Sequence, residues 1–96
     1  MAGQRAFLIT YDISDGKRLN RTARVLEGYG FRLQESVFYC KLSPLMKASL
    51  TSELASVINV VEDQCVIIDL GPDEDIINEF ESIGRPIPTI PKVIFV

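Results

Sequence analysis

Asp12 stands where an apolar run, Ala6-Phe7-Leu8-Ile9 with Thr10 and Tyr11 after it, gives way to Ile13-Ser14-Asp15-Gly16, a turn-forming and helix-capping sequence. A carboxylate held at the end of a rigid element suits a hard cation such as Mg²⁺, which takes oxygen ligands and needs few of them from protein. The same side chain could instead do no more than end the strand and cap the turn. Five residues on, Lys17, Arg21 and Arg24 recur at i, i+4 and i+7, with Arg18 one turn before Arg21. On a helix these make a basic stripe about two turns long, either a phosphate-binding surface beside Asp12 or a solvated face. The chain has no histidine. Imidazole bases, imidazole metal ligands and Ser-His or Cys-His nucleophiles are therefore excluded, and any catalysis must run on carboxylates, a metal, hydroxyls or arginines.

The elements that would position these groups follow from hydrophobic pattern. Ala6 to Ile9 have no polar partner among them, so a strand built from them is covered on both faces and is central. Gly16 to Glu27 reads as a helix, with Leu19, Ala23 and Leu26 on one face and Val25 beside them, started by Ser14 or Asp15 and stopped by Gly28 and Gly30, which tolerate positive φ. Phe31 to Leu42 is strand-like but long for one strand, which predicts two strands meeting near Gln34 to Ser36 through a tight corner or bulge. Ser43 as N-cap and Pro44 at the first position open a second helix with Met46, Leu50, Leu54, Val57 and Ile58 inward, ending before Glu62-Asp63. Cys65 to Leu70 is a fourth strand, apolar on both faces and ended by Gly71-Pro72. The order strand, helix, strand, strand, helix, strand is the α+β, βαββαβ pattern of a ferredoxin-like sandwich, two helices on one face of a four-stranded antiparallel sheet. Its other face is apolar too and needs a cover, which a second copy of the chain would supply.

Asp73 to Ile83 carries Ile76, Ile77, Phe80 and Ile83 in a short amphipathic turn or helix and reads as a packing segment that closes a domain spanning 1–83. Residues 84–96 form an arm: Gly84 to Pro91 is stiffened by proline, and Lys92 to Val96 is a strand with no place inside the four-stranded unit, suited to pairing with a partner's sheet edge.

With 96 residues and 47% apolar content the chain is long enough for one core, and no apolar run approaches a membrane span. The N-terminus shows no secretory signal, so a cytoplasmic location is expected. Cys40 and Cys65 lie in apolar strands without metal-ligand spacing and read as buried hydrophobes. The net charge of −3 divides into +4 over residues 1–48 and −7 over the remainder. Such a division lets one half meet phosphate while the other keeps the protein soluble.

Tyr11-Asp12-Ile13-Ser14-Asp15, the following Lys17-Arg18, and Gly30-Phe31-Arg32-Leu33-Gln34-Glu35-Ser36-Val37-Phe38 together resemble the family of the second CRISPR-associated protein, the small dimeric subunit that accompanies the CRISPR integrase in spacer acquisition. The resemblance extends over nearly the whole chain. It implies a homodimer with its two sheets face to face, a C-terminal strand added to the partner's sheet, and Asp12 of each copy near the two-fold axis binding one Mg²⁺ or another divalent cation such as Mn²⁺. It implies either a metal-dependent endonuclease acting on single-stranded RNA or double-stranded DNA, or a non-catalytic bridge between integrase dimers. Tyr11, Arg21, Arg32 and Phe38 match positions that matter for nuclease activity in some members. Leu19 departs from the family, which often has a further basic residue there.

On this reading Asp12 is the metal ligand, and Tyr11 a catalytic neighbour. Lys17, Arg18, Arg21 and Arg32 contact phosphate, while Tyr11 or Phe38 stacks on a base or shapes the groove. A related toxin-type ribonuclease with the same strand-end aspartate is an alternative. An RNA-recognition module of the same topology is disfavoured, because the third strand has no stacking motif of glycine and aromatic residues.

Overall fold

The computed structural model describes residues 3–72 and 75–88. In chain order the elements are β1 (Arg5–Asp12), α1 (Gly16–Glu27), β2 (Gly30–Gln34), β3 (Val37–Leu42), α2 (Pro44–Val57) and β4 (Gln64–Pro72), followed by a 3-10 turn at Ile76–Glu79. The sheet is antiparallel throughout, in the order β2-β3-β1-β4. This is the expected ferredoxin-like arrangement, with β1 central. The expected strand at residues 92–96 lies outside the described residues, and no described helix is long and apolar enough to cross a membrane.

Alternation along β1 sorts its side chains into two sets. Phe7, Ile9 and Tyr11 point toward the helices and join Leu26 of α1, Phe38, Cys40 and Leu42 of β3, and Leu50 and Leu54 of α2 in one buried cluster. Leu8, Thr10 and Asp12 belong to the opposite face. There Tyr39, paired with Leu8, meets the Phe80 ring in a T-shaped contact at a centroid separation of 5.8 Å. The segment from Phe80 to Pro88 runs over Leu8, Leu33 and Val37 and bounds a cleft of about 880 Å³ with them. The chain thus covers part of its own open face, with Phe80 to Ile83 of the expected packing segment and with Arg85 to Pro88, which the sequence assigns to the arm. Val66 and Ile68 of β4 on that face remain 39% and 41% exposed.

Both helix starts match their sequence signals. Asp15 caps α1 by accepting from the Arg18 amide at 3.0 Å, and Ser43 caps α2 by accepting from the Met46 amide at 3.2 Å with Pro44 next in line. The stop of α1 differs from expectation. Gly28 closes it with φ −76°, and positive φ among the described glycines is confined to Gly71 and Gly84. Gly30 is needed for a different reason: it opens β2 pressed against Tyr39 and Cys40 of β3. The corner between β2 and β3 is Glu35-Ser36, with a register shift between Arg32 and Gln34 that supplies the expected bulge.

Gly71-Pro72 does not end β4. The register with β1 shifts between Ala6 and Phe7, Gly71 takes φ +104°, its amide donates to Asp69 Oδ1 at 2.7 Å, and pairing resumes through Pro72. A glycine bulge absorbs the extra residue, and proline is tolerated because β4 is an edge strand.

The inward face of α1 holds Leu26, Leu19 and Val25 as expected, and Ala23 is half-buried, but the residue buried beside Leu26 is Thr22, which the apolar pattern passes over. Thr22 is fully buried, and its hydroxyl has no hydrogen-bond partner among the described residues. An unpaired buried hydroxyl is destabilising, so the near-isosteric Thr22→Val is expected to raise unfolding free energy by about 1 kcal/mol. A urea melt whose midpoint is unchanged or lower would refute this.

Candidate functional site

The end of β1 and the turn after it are held from two sides. On the sheet side, Tyr11 pairs with Cys65 and Asp12 with Gln64 of β4, while the Tyr11 amide donates to the Ser36 carbonyl at 3.1 Å. On the turn side, Ser14 is bound by Asp63, the residue immediately before β4. Asp63 Oδ1 accepts from the Ser14 amide at 3.1 Å, from Ser14 Oγ at 3.2 Å and from Arg18 Nη2 at 3.3 Å. Asp63 Oδ2 accepts from Arg18 Nε at 2.7 Å and from the Asn59 amide at 2.8 Å. The side chain of Asp63 is 0% exposed. A carboxylate can be buried in this way because a planar guanidinium fork faces it and the remaining lone pairs meet backbone N–H groups.

Those contacts favour the ionised form. The Arg18 guanidinium, helped by the Asn59 and Ser14 amides, holds the Asp63 carboxyl well below the usual carboxylate range despite burial. Its folded pKa therefore lies under the unfolded value of 3.8, and below that pH the unfolded chain binds more protons than the folded one. The stabilisation is present above the unfolded pKa and is lost as pH falls toward the folded one. Urea melts of the parent and Asp63→Asn should therefore differ most near neutral pH, and the gap should shrink below about pH 4. A gap of equal size at pH 7 and pH 3 would contradict this assignment.

Arg18 is committed to this cluster. Besides Asp63 its Nη2 reaches Glu62 Oε1 at 3.0 Å and Ser14 Oγ at 3.3 Å. Two carboxylates face one guanidinium, which leaves this part of the surface negative and not phosphate-attracting. Lys17, Arg21 and Arg24 are exposed along α1 and form no salt bridge among the described residues. Of the basic residues singled out in the first helix, Lys17, Arg21 and Arg24 are thus left to meet an anion. Leu19, at the position where the family often has a basic residue, packs against the core instead.

Tyr11, Arg32 and Phe38 come together on the helix-covered side. The Tyr11 hydroxyl and Arg32 Nη1 both donate to the Glu35 carbonyl, at 3.1 and 2.7 Å. The Arg32 guanidinium lies 5.1 Å from the Phe38 ring centroid, and the Tyr11 and Phe38 rings are 6.2 Å apart. Phe38 is fully buried and Tyr11 nearly so. Burial pushes the Tyr11 phenol up from its ordinary pKa, with the Arg32 charge opposing, so the hydroxyl is a neutral donor at pH 7. Neither ring offers a face for a base to stack on. What they do in this arrangement is fix the β2–β3 corner and aim the exposed Arg32. Tyr11 also points to the face opposite Asp12, so the two neighbours in sequence do not converge on one point.

Asp12 itself is exposed and accepts no hydrogen bond among the described residues. The two structural jobs open to it are done by others: Asp15 caps α1, and Asp63 receives the Ser14 amide. Among the described residues no group of three or more acidic or cysteine side chains is placed to hold a metal ion. A single exposed carboxylate on a rigid strand end fits a cation that keeps most of its waters, as Mg²⁺ does.

Asp63 is the site residue that sequence reasoning did not find. Its partners Ser14 and Arg18 lie 49 and 45 residues away. The available signal was local: Asn59, whose side chain accepts from the Val61 and Glu62 amides, followed four residues later by a carboxylate at the threshold of an apolar strand.

Comparison with known proteins finds relatives of this chain in sequence and in fold. The family described as "CRISPR associated protein Cas2" matches residues 5–75. A protein of Rhodospirillum rubrum named CRISPR-associated endoribonuclease Cas2 1 is 35% identical over 89 residues, covering 93% of this chain and 87% of that protein. The crystal structure of Streptococcus pyogenes Cas2 at pH 6.5 is similar with a TM-score of 0.74 and 28% identity, covering 82% of this chain and 99% of that one. A chain of a partial Cas6-RT-Cas1–Cas2 complex is similar with a TM-score of 0.71 and 29% identity, covering 96% of this chain and 99% of that one.

Proposed function

Because the chain belongs to the CRISPR associated protein Cas2 family, we propose that it is the small nuclease subunit of CRISPR spacer acquisition, a homodimeric, divalent-metal-dependent endonuclease. The observation that carries this reading is Asp12 itself, an exposed carboxylate on a rigid strand end, with the capping of α1 done by Asp15 and the Ser14 amide met by Asp63. Dimerisation through the open sheet face is supported by the exposure of Val66 and Ile68 there, on the same face as Asp12. A two-fold axis through that face lets Asp12 of each copy hold one Mg²⁺ or Mn²⁺. When bound, such an ion neutralises charge on the scissile phosphate and activates the attacking water. Lys17 and Arg21 on α1, and Arg32 braced by Phe38, take the flanking phosphates. With no histidine in the chain, the leaving oxygen draws its proton from solvent, which predicts slow turnover. RNA is the first substrate to test, given the name of the Rhodospirillum rubrum relative, and double-stranded DNA the second.

A second reading is favoured by the likeness to a chain from a complex containing Cas1. There the protein is an adaptor that bridges integrase subunits and holds duplex DNA without cutting it. Asp12→Asn separates the two. As a nuclease the variant loses metal-dependent cleavage of RNA or DNA; as an adaptor it still supports spacer acquisition in cells. Cleavage that survives the substitution would sink the catalytic reading.

A further inference from the structure

We propose that Asp63 is a positioning residue for Asp12, and that Arg18 acts through Asp63 and not on phosphate; this rests on the reading of Asp12 as the metal ligand. Asp12 is the hinge between two restraints. Before it, β1 is locked into the sheet, and Asp12 itself pairs with Gln64. Two residues after it, Ser14 is gripped through both its amide and its hydroxyl by Asp63, the neighbour of Gln64 in the chain. The direction in which the Asp12 side chain leaves the strand end is set by these two attachments together, and both trace to the stretch Asp63-Gln64.

That stretch is itself rigid. Asn59 Oδ1 accepts from the Val61 and Glu62 amides, the Asp63 amide returns to the Asn59 carbonyl at 2.8 Å, and the Asn59 amide donates to Asp63 Oδ2. Arg18 completes the arrangement by supplying two N–H groups in fork geometry, one to each oxygen of Asp63. A lysine could neutralise the charge but not span both oxygens. An arginine spent in this way, with Glu62 also upon it, is a poor phosphate ligand. Its sequence position beside Lys17 and Arg21 disguises a role in shaping the turn.

Mn²⁺ binding by the full-length chain, followed by electron paramagnetic resonance, tests the proposal alongside metal-free affinity for RNA at two salt concentrations. Asp63→Asn and Arg18→Lys should each weaken Mn²⁺ binding roughly tenfold or more, as expected when the support of a metal ligand is loosened, with metal-free RNA affinity and its salt dependence unchanged. Ser14→Ala, which removes the hydroxyl contacts to Asp63 and Arg18 but keeps the hydrogen bond from the Ser14 amide to Asp63, should weaken Mn²⁺ binding by a smaller factor and keeps the test available where Asp63→Asn fails to fold. Were Arg18 a phosphate ligand, Asp63→Asn would free it and strengthen metal-free RNA binding with a steeper salt slope, and that outcome overturns the proposal. Unchanged Mn²⁺ affinity in the folded variants also overturns it. Failure of the underlying reading looks different: Asp12→Asn would then bind Mn²⁺ as the parent does.

Discussion

Asp12→Asn is expected to cut metal-dependent cleavage by about a thousandfold or more while the melting temperature stays that of the parent. The two halves of this expectation come from the same fact. Asparagine keeps the size and shape of the side chain but cannot carry the negative charge that a hard cation requires. Because each copy would contribute one carboxylate to a shared ion, one substitution in the gene removes both. Stability should not suffer, since the carboxylate of Asp12 is exposed and makes no hydrogen bond among the described residues, whereas the nearby Asp15 and Asp63 each hold a turn in place. A variant that loses activity and also melts early would mean that Asp12 has a structural duty. One that melts normally and still cuts would mean that the chemistry lies elsewhere.

Gly30→Ala should be the most damaging single change to the fold, costing roughly 3 kcal/mol or more. A Cβ at residue 30 would press into the Tyr39 carbonyl oxygen and lie 2.6 Å from Cys40 Sγ and 3.0 Å from Cys40 Cα. Two of these three atoms belong to the backbone of β3, which is also paired to β1, so it cannot retreat without opening the centre of the sheet. The relief available is for β2 to peel away, taking Arg32 with it. For a domain of this size the loss corresponds to a fall in Tm of roughly 15 °C. Thermal melting by circular dichroism measures it, and a shift of two or three degrees would show that β2 yields more easily than the close packing suggests.

The legible parts of the molecule were those whose causes are local. The apolar run ending at Asp12, the Ser43-Pro44 start and the periodicity of α1 each depend on neighbours within a few residues, and each element formed where its pattern lay. What escaped was decided by approach between distant segments. Thr22 lies in the core because it sits between Leu19 and Leu26 on the inward face of α1, which the polarity of threonine hides. Gly30 reads as part of a helix end because glycine more often serves φ than contact, yet its φ is ordinary and the pressure comes from Tyr39 and Cys40. The Gly71-Pro72 pair has the composition of a strand end, but an edge strand with a bulge can carry both. Asp12 could be singled out because an acid at the end of an apolar run is conspicuous. Asp63 could not, since its significance depends on Ser14 and Arg18 arriving from the other end of the chain. Phe38 and Tyr11 were found as residues, but only their depth in the core shows that they work through Arg32.

Asp12 lies on the sheet face away from the helices, whereas Lys17, Arg21 and Arg24 ride on the layer stacked against its other side. A polyanion touching both cannot lie flat on either surface and must saddle the rim of the sandwich, turning through a thickness of about 10 Å. Strands that bend readily at a single phosphate would mount this rim at little cost, and a stiff, straight duplex would have to kink or meet a second copy that widens the seat.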